Sequence, residues 1–173
     1  MASRNSAIAY CIKDSNWASD LISRRSVGGN VIIFAGASVI YKTFIQRVVA
    51  LSSTEAEFYA LAEAGKMTLY LRLVLADLNF EQLEPTPVYE DNRACLHLTQ
   101  ASKPTKRMRH VETRHFAILE WINNDLIEVK KIDTADNSSD VLTKATGRVL
   151  FYRHNNTIMG NRTPLYVQYT EQD

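Results

Sequence analysis

The sequence has few cysteines, no long apolar run and almost no net charge, and each of these absences excludes a class of protein. Its only two cysteines among 173 residues, Cys11 and Cys95, lie far apart and form no CxxC pair. We therefore expect a reduced intracellular protein rather than a disulfide-stapled secreted one. No apolar run approaches about 18 residues and no charged-then-apolar leader opens the chain, so we do not expect membrane insertion. The formal net charge of +1 creates no global attraction for nucleic acid, so such a partner would have to bind a local patch.

The remaining composition is that of an ordinary globular domain. Hydrophobic residues make up 46% of the chain and charged residues 23%, with no internal repeat and no low-complexity segment. The length corresponds to one domain with a real core. We expect this domain to cover residues 1–147. Residues 148–173 form a weakly determined extension, in which the periodicity fades and Asn155-Asn156 is typical of a turn.

The segment 51–61, LSSTEAEFYAL, is the most informative stretch because it places two carboxylates at the start of a long helix. Ser52 and Glu55 have the spacing of a capping box, which predicts where the helix begins. Glu57 immediately precedes Phe58 of the apolar stripe, so it can lie at the rim of the buried face. Glu55 is about 200° away around the helix axis and should point elsewhere. Alternatively, both acids only complement the helix dipole.

The order of the predicted elements indicates an α/β fold with a mixed five-stranded sheet. Three short strands with tight connections imply an antiparallel meander, and the two later strands are joined by helical crossovers that make them parallel. Helices would cover both faces of the sheet. The predicted strands are 7–12, 30–35, 38–41, 88–89 and 126–132, and the predicted helices are 53–78, 93–99, 111–123 and 137–144.

Four acidic residues from four separate elements could meet at one edge of this sheet. Asp14 and Asp91 follow predicted strands, and the carboxyl ends of neighbouring strands are where open α/β sheets bind ligands. Glu57 would enter from the long helix and Asp140 from the last one. Each acid alone has an ordinary explanation as a turn residue, a helix cap or a dipole partner.

Clustered carboxylates repel one another, so a site made of these acids would need cations. Hard oxygen ligands suit Mg²⁺ or Mn²⁺. Two such ions, about 3.5–4 Å apart, are the usual arrangement for in-line hydrolysis of a phosphodiester. The sequence therefore indicates a phosphodiester-cleaving metal site as the alternative to four unrelated surface acids.

A basic connector and one asparagine are candidates for contact with nucleic acid. The connector could follow a phosphate backbone, or it could be no more than a solvated loop. Asn92, directly after Asp91, could contact a minor groove in which 2′-hydroxyl groups mark an RNA strand. We expect His110 and His115 to be structural. The basic residues are Lys103, Lys106, Arg107, Arg109 and Arg114, opposed by the single acid Glu112.

Six motifs in this chain resemble, in the same order, those of one family. The first three correspondences are D-x-D-W-A-G-D with residues 14–20, R-K-S-T-S-G with 24–29, and A-L-S-S-T-E-A-E-Y-x-A-L with 50–61. The other three are Y-C-D-N-x-x-A with residues 89–95, R-x-K-H-I-D-x-R-x-H-F with 107–116, and A-D-x-x-T-K with 139–144. These motifs are similar to those of the ribonuclease H domain at the end of the Pol polyprotein of copia-type LTR retrotransposons. The resemblance covers residues from about 7 to 150.

This resemblance implies a ribonuclease H-like fold and two-metal-ion hydrolysis of the RNA strand in RNA/DNA hybrids, with two Mg²⁺ ions or Mn²⁺ as a substitute. The implied partners are the hybrid and the reverse transcriptase domain of the same polyprotein. The implied location is intracellular, in a cytoplasmic virus-like particle with access to the nucleus. The residues that match the catalytic, metal-binding acids of the family are Asp14, Glu57, Asp91 and Asp140.

The chain departs from the family motifs at several positions near the predicted site. Asn16 replaces a variable second aspartate, and Glu90 replaces a common cysteine and adds a charge beside the metals. Val27 alters the R-K-S-T-S-G turn. A histidine that cellular ribonucleases H often carry before the last helix has no counterpart in residues 133–139, so product release would work differently.

A second interpretation is a domesticated or inactive copy that serves as a structural or nucleic-acid-binding subunit of a larger complex. Its motivation is that Met1 lies just before the first predicted strand, without a polymerase, that the net charge is weak, and that residues near the site are altered. Its partners would be protein subunits, and its location organellar or complex-bound. A third interpretation within the same fold is a nuclease for another substrate, as in integrases and resolvases, although the copia-type motifs argue against it.

Overall fold

The computed structural model describes residues 9–100 and 112–162, which form one mixed sheet with helices on both faces. The strands are β1 (Ala9–Asn16), β2 (Val27–Phe34), β3 (Ala37–Ile45), β4 (Thr86–Glu90) and β5 (Ile127–Lys131). The helices are α1 (Ser53–Asp77), α2 (Arg93–Gln100), α3 (Glu112–Asn123) and α4 (Arg148–Ile158), together with two 3-10 helices, Thr134–Asp136 and Ser138–Leu142.

The strand order β3-β2-β1-β4-β5 confirms the predicted mixed sheet. β1 pairs antiparallel with β2, and β2 antiparallel with β3. β4 pairs parallel with both β1 and β5. Because β1 and β4 are parallel neighbours, their carboxyl ends lie side by side at one edge of the sheet. No helix among the described residues is long and apolar enough to cross a membrane.

The two faces of the sheet bury two separate apolar clusters, because alternate side chains of a strand point to opposite faces. Cys11 and Val88 belong to the larger cluster, which α1 covers together with α2 and α3. Tyr10 and Ile12 belong to the smaller cluster on the opposite face, where Leu142 and the last turn of α4 pack. By the same alternation, Lys13 projects toward α1 and Asp14 toward the 3-10 helix Ser138–Leu142.

Several predicted bounds were wrong. The strands predicted at 30–35, 38–41 and 88–89 are observed as Val27–Phe34, Ala37–Ile45 and Thr86–Glu90. β1 does not end at residue 12, as the predicted strand 7–12 does, but continues to Asn16, because the whole segment pairs with β2. The predicted helix 137–144 is a short 3-10 helix, Ser138–Leu142. The predicted turn at Asn155-Asn156 lies inside α4, which buries His154 and Thr157. The beginning of the predicted helix 111–123 lies outside the described residues, and the domain boundary after residue 147 stays a prediction.

Candidate active site

Three carboxylates from three elements converge at the carboxyl edge of β1 and β4. Asp14 lies on β1, Glu57 on the second turn of α1, and Asp91 directly after β4. One oxygen of each residue lies within 4.8 Å of the other two. Asp14 and Glu57 are buried, and Asp91 is half-buried. Such a set of hard oxygen atoms can hold a divalent cation.

Gly29 allows the segment that carries the fourth predicted acid to approach Asp14 closely. It is paired with Asp14 across β1 and β2. A Cβ atom built at Gly29 would lie 2.8 Å from Leu142 Cβ and 2.8 Å from Thr143 Cγ2, so a larger residue would push this segment away. The Thr143 hydroxyl donates a hydrogen bond to Asp14 Oδ2. Gly29 therefore has a packing role beside the site.

Asp140 is brought to the same edge by a buried asparagine. The Asn137 amide donates to the Lys13 carbonyl oxygen at 3.1 Å, which ties the 3-10 helix to β1. The Asn137 Oδ1 atom accepts hydrogen bonds from the Ser139 N–H at 3.2 Å and the Ser139 hydroxyl at 2.6 Å. Asp140 Oδ2 pairs with Lys144 Nζ at 3.0 Å. Its Oδ1 atom is buried without a hydrogen-bond partner among the described residues.

A fully buried lysine forms an ion pair with Glu57. Lys13 Nζ forms ion pairs with Glu57 Oε2 and, at 2.5 Å, with Glu90 Oε2. The Lys13 and Glu90 side chains are both 0% exposed. The charge that Glu90 adds, compared with the family cysteine, is thus compensated inside the protein. Glu55 takes no part in this arrangement, because its Oε2 accepts a hydrogen bond from the Leu51 N–H at 2.8 Å.

Burial and crowding change the proton affinities of these groups. Burial raises the pKa of Glu57 to about 8; Lys13 lowers that pKa, whereas Glu90 and Asp14 raise it. Burial and the Asp14 carboxylate raise the pKa of Asp140 to about 6 against the effect of Lys144. Burial alone would lower the pKa of Lys13, but Glu57 and Glu90 outweigh it and keep that pKa well above its usual value. The metal-free cluster therefore binds protons near neutral pH, while Lys13 stays charged.

The structure places only two of the predicted substrate-binding residues. Asn92 Oδ1 accepts a hydrogen bond from the Cys95 N–H at 3.0 Å and so caps α2. The Arg114 guanidinium stacks on the Tyr59 ring, with its Cζ atom 4.5 Å from the centroid. Contact of either residue with nucleic acid stays a prediction. Four further predicted residues lie outside the described part of the chain: Lys103, Lys106, Arg107 and Arg109.

The two histidines that we expect to be structural differ in what the structure describes. His115 is fully buried, and its ring stacks on Phe58 with the centroids 5.7 Å apart. This position inside the α1–α3 packing agrees with the structural role that we expect for His115, which stays a prediction. His110 lies outside the described residues.

Sequence reasoning missed two lysines that contact the predicted acids. Lys13 is a charged residue at the end of an apolar run. Successive side chains of β1 point to alternate faces of the sheet, and this alternation is the signal that directs Lys13 toward α1. Lys144 lies four residues after Asp140 and within 3.8 Å of Asp14 Oδ2. It is part of the A-D-x-x-T-K motif, but only the tertiary structure shows that its ammonium group lies between two acids.

Comparison with known sequences identifies retrotransposon relatives. The Retrovirus-related Pol polyprotein from transposon TNT 1-94 of Nicotiana tabacum is 34% identical over 138 residues, which are 80% of this chain and 10% of that protein. The corresponding polyprotein from transposon RE2 of Arabidopsis thaliana is 25% identical over 147 residues, 85% of this chain and 10% of that protein. The chain thus spans about a tenth of the length of these relatives. No protein-family model matches it.

Comparison with solved structures identifies the fold. LC11-RNase H1, isolated from compost by a metagenomic approach, matches with a TM-score of 0.60 and 15% identity over 79% of this chain and 92% of that protein. The same enzyme in complex with an RNA/DNA hybrid matches with a TM-score of 0.57 and 13% identity over 78% of this chain and 93% of that one. The N-terminal RNase H domain of rv2228c from Mycobacterium tuberculosis matches with a TM-score of 0.55 and 11% identity over 88% of this chain and 99% of that chain.

Proposed function

Because this chain is homologous to the Pol polyproteins of copia-type retrotransposons and has the ribonuclease H fold, we propose that it is a metal-dependent endonuclease that hydrolyses the RNA strand of RNA/DNA hybrids during reverse transcription. The observation that carries this proposal is the convergence of Asp14, Glu57 and Asp91 within 4.8 Å at the carboxyl edge of the sheet. A fold neighbour, LC11-RNase H1, was solved with such a hybrid. The proposed partners are the hybrid and the polymerase domain of a longer Pol protein.

The chemistry of the donor set fits Mg²⁺. The ligands are carboxylate oxygens, which Mg²⁺ and Mn²⁺ prefer, and three of them already lie close together without a cation. The buried Oδ1 atom of Asp140 has no hydrogen-bond partner among the described residues and offers a further oxygen. Asp14, Glu57 and Asp91 would hold one ion. In a two-ion mechanism, a second ion would lie against Asp14 and Asp140.

The protein contributes preorganisation to this reaction. Bound Mg²⁺ would supply an activated water and stabilise the charge on the phosphate and the leaving 3′ oxygen. Thr143 holds Asp14 by its hydroxyl hydrogen bond, and Lys13 holds Glu57, so neither carboxylate has to be ordered when substrate arrives. The backbone oxygen of Asp91 accepts a hydrogen bond from Lys131, which anchors the loop after β4. Groups fixed in advance in this way cost little reorganisation during the reaction.

The direct test is cleavage of a hybrid whose RNA and DNA strands carry different labels. We expect Mg²⁺-dependent cutting of the RNA strand alone, with 3′-hydroxyl ends, and no cutting of RNA/RNA or DNA/DNA duplexes of the same sequence. Chelation of the metal should stop the reaction. If the folded protein cuts nothing in Mg²⁺ or Mn²⁺, independent activity is refuted. Hybrid binding by the same sample would then separate a domain that requires its polymerase from a structural subunit.

Metal binding should release protons, since the raised pKa values of Glu57 and Asp140 mean that the metal-free site is partly protonated at pH 7. A cation requires the ionised carboxylates, so we expect its apparent affinity to rise from pH 6 to pH 9. Calorimetric titration with Mg²⁺ in two buffers of different ionisation enthalpy measures the protons released. The release should be large at pH 6 and pH 7, small at pH 9, and reduced in Glu57→Gln. Equal heats in both buffers at pH 7 would contradict the expectation.

A further inference from the structure

Lys144 lies where a second divalent ion would bind. Its ammonium nitrogen is 3.0 Å from Asp140 Oδ2 and 3.8 Å from Asp14 Oδ2, so it bridges one acid of the 3-10 helix and one of β1. The three-carboxylate cluster that could hold an ion includes Asp14 but not Asp140. Asp140 is therefore paired with an internal cation in the metal-free protein. Its second oxygen, Oδ1, is buried and unpartnered among the described residues.

Hydrogen bonds of the backbone up to Lys144 hold this residue in position. The Lys144 N–H donates to the Asp140 carbonyl oxygen at 3.0 Å. The Asn16 amide donates to the Thr143 carbonyl oxygen at 3.3 Å, and the Thr43 hydroxyl donates to the Leu142 carbonyl oxygen at 3.1 Å. The main chain before Lys144 is thus fixed to β1 and β3. Only the side chain of Lys144 is free to change position.

Lys13 and Lys144 differ in the exposure of their side chains, and this difference decides their roles. Lys13 is 0% exposed and paired on the buried face, so it cannot leave. The Lys144 side chain is 40% exposed, so its ammonium group can move into solvent. Both an ammonium ion and Mg²⁺ seek the same carboxylate oxygens, and two cations cannot share them at this distance because they repel each other. Lys144 and a second ion therefore exclude each other.

We propose that Lys144 is a resident counter-ion of the Asp14–Asp140 pair, so that the substrate-free protein binds one divalent ion and admits a second only when Lys144 is displaced. This inference rests on the proposed function, which gives the second ion its purpose, but the number of bound ions can be measured independently of cleavage. The first ion would use Asp14, Glu57 and Asp91. The second would have to replace the ammonium group at Asp14 and Asp140. Lys144 would then act on the number of bound ions rather than on the scissile bond.

The test is the number of Mn²⁺ ions bound by the substrate-free protein, measured by electron paramagnetic resonance of free Mn²⁺ during a titration. We expect one ion for the wild-type chain and for Lys144→Arg, which keeps the positive charge. Lys144→Gln should bind two, with an affinity for the second ion at least about tenfold higher than in the wild type. Lys130→Gln, which removes a lysine paired with Glu128, is the matched control and should bind one.

Each outcome supports or overturns the inference. Two ions in the wild type, one ion in Lys144→Gln, or no binding by either protein at millimolar Mn²⁺ would overturn it. Thermal unfolding of each variant checks that the fold is kept. Hybrid cleavage on the same samples separates the two proposals. The expected stoichiometries without cleavage would preserve the role of Lys144 and refute independent nuclease activity, whereas cleavage with two ions in the wild type would do the reverse.

Discussion

Replacing Asp91 with asparagine is expected to lower the rate of hybrid cleavage at least about 10³-fold, because the variant loses one charged ligand of the metal cluster. A bound divalent ion stabilises a phosphoryl transition state by several kcal/mol, and each 1.36 kcal/mol corresponds to about a factor of ten in rate. Asp91 is half-buried and extends from the loop after β4, so the substitution does not disturb the core. The Lys131 hydrogen bond to this loop uses the main-chain oxygen of Asp91 and survives.

The stability of the same variant distinguishes a lost ligand from a damaged fold. Removing one of three close carboxylates relieves repulsion, so the free energy of unfolding of metal-free Asp91→Asn should equal or exceed that of the wild type. Single-turnover cleavage and urea unfolding measure the two quantities. Asp125→Asn makes the same chemical change in the turn before β5, at the opposite edge of the sheet, and should leave both unchanged. Cleavage by Asp91→Asn within tenfold of wild type would remove Asp91 from the site.

Replacing Lys13 with methionine is expected to lower the free energy of unfolding by about 3–5 kcal/mol, the usual cost of removing one partner of a buried ion pair. Methionine fills a similar volume but leaves the Glu57 and Glu90 carboxylates facing each other without a cation. Urea unfolding of the metal-free protein at pH 8 measures the loss. The loss should shrink at pH 5, because burial raises the pKa of Glu57 to about 8 and a protonated Glu57 no longer repels Glu90.

Two further variants separate the effect of burial from that of charge. Lys66→Met breaks an exposed pair with Glu63 on α1, where the lysine side chain is 56% exposed, and should cost about 0–1 kcal/mol. The double variant Lys13→Met/Glu90→Gln should recover part of the stability, because only one buried carboxylate then remains uncompensated. A loss below about 1 kcal/mol in Lys13→Met alone would contradict the role of Lys13 as a buried counter-ion.

Local sequence patterns predicted the elements of this fold because they report local conformation. Ser52 and Glu55 predicted the beginning of α1, and the structure confirms it through the hydrogen bond from the Glu55 N–H to Ser52 Oγ at 3.1 Å. The order of strands and helices predicted the mixed sheet, which the strand order confirms. The same method missed α4, because its buried residues, His154 and Thr157, are polar and leave no apolar periodicity to detect.

The sequence by itself determined which residue types are available for the site and, through the family motifs, which four acids to expect there. Which side chains touch was decided by the tertiary structure. Asp14 and Thr143 are 129 residues apart in the chain, and Lys13 and Glu57 are 44 apart. These contacts exist because β1 and β4 are neighbours, because Gly29 lets the 3-10 helix approach, and because alternation along β1 sends Lys13 and Asp14 to opposite faces. Spacing along the chain sets local geometry only; the separation of distant residues is set by how the elements pack.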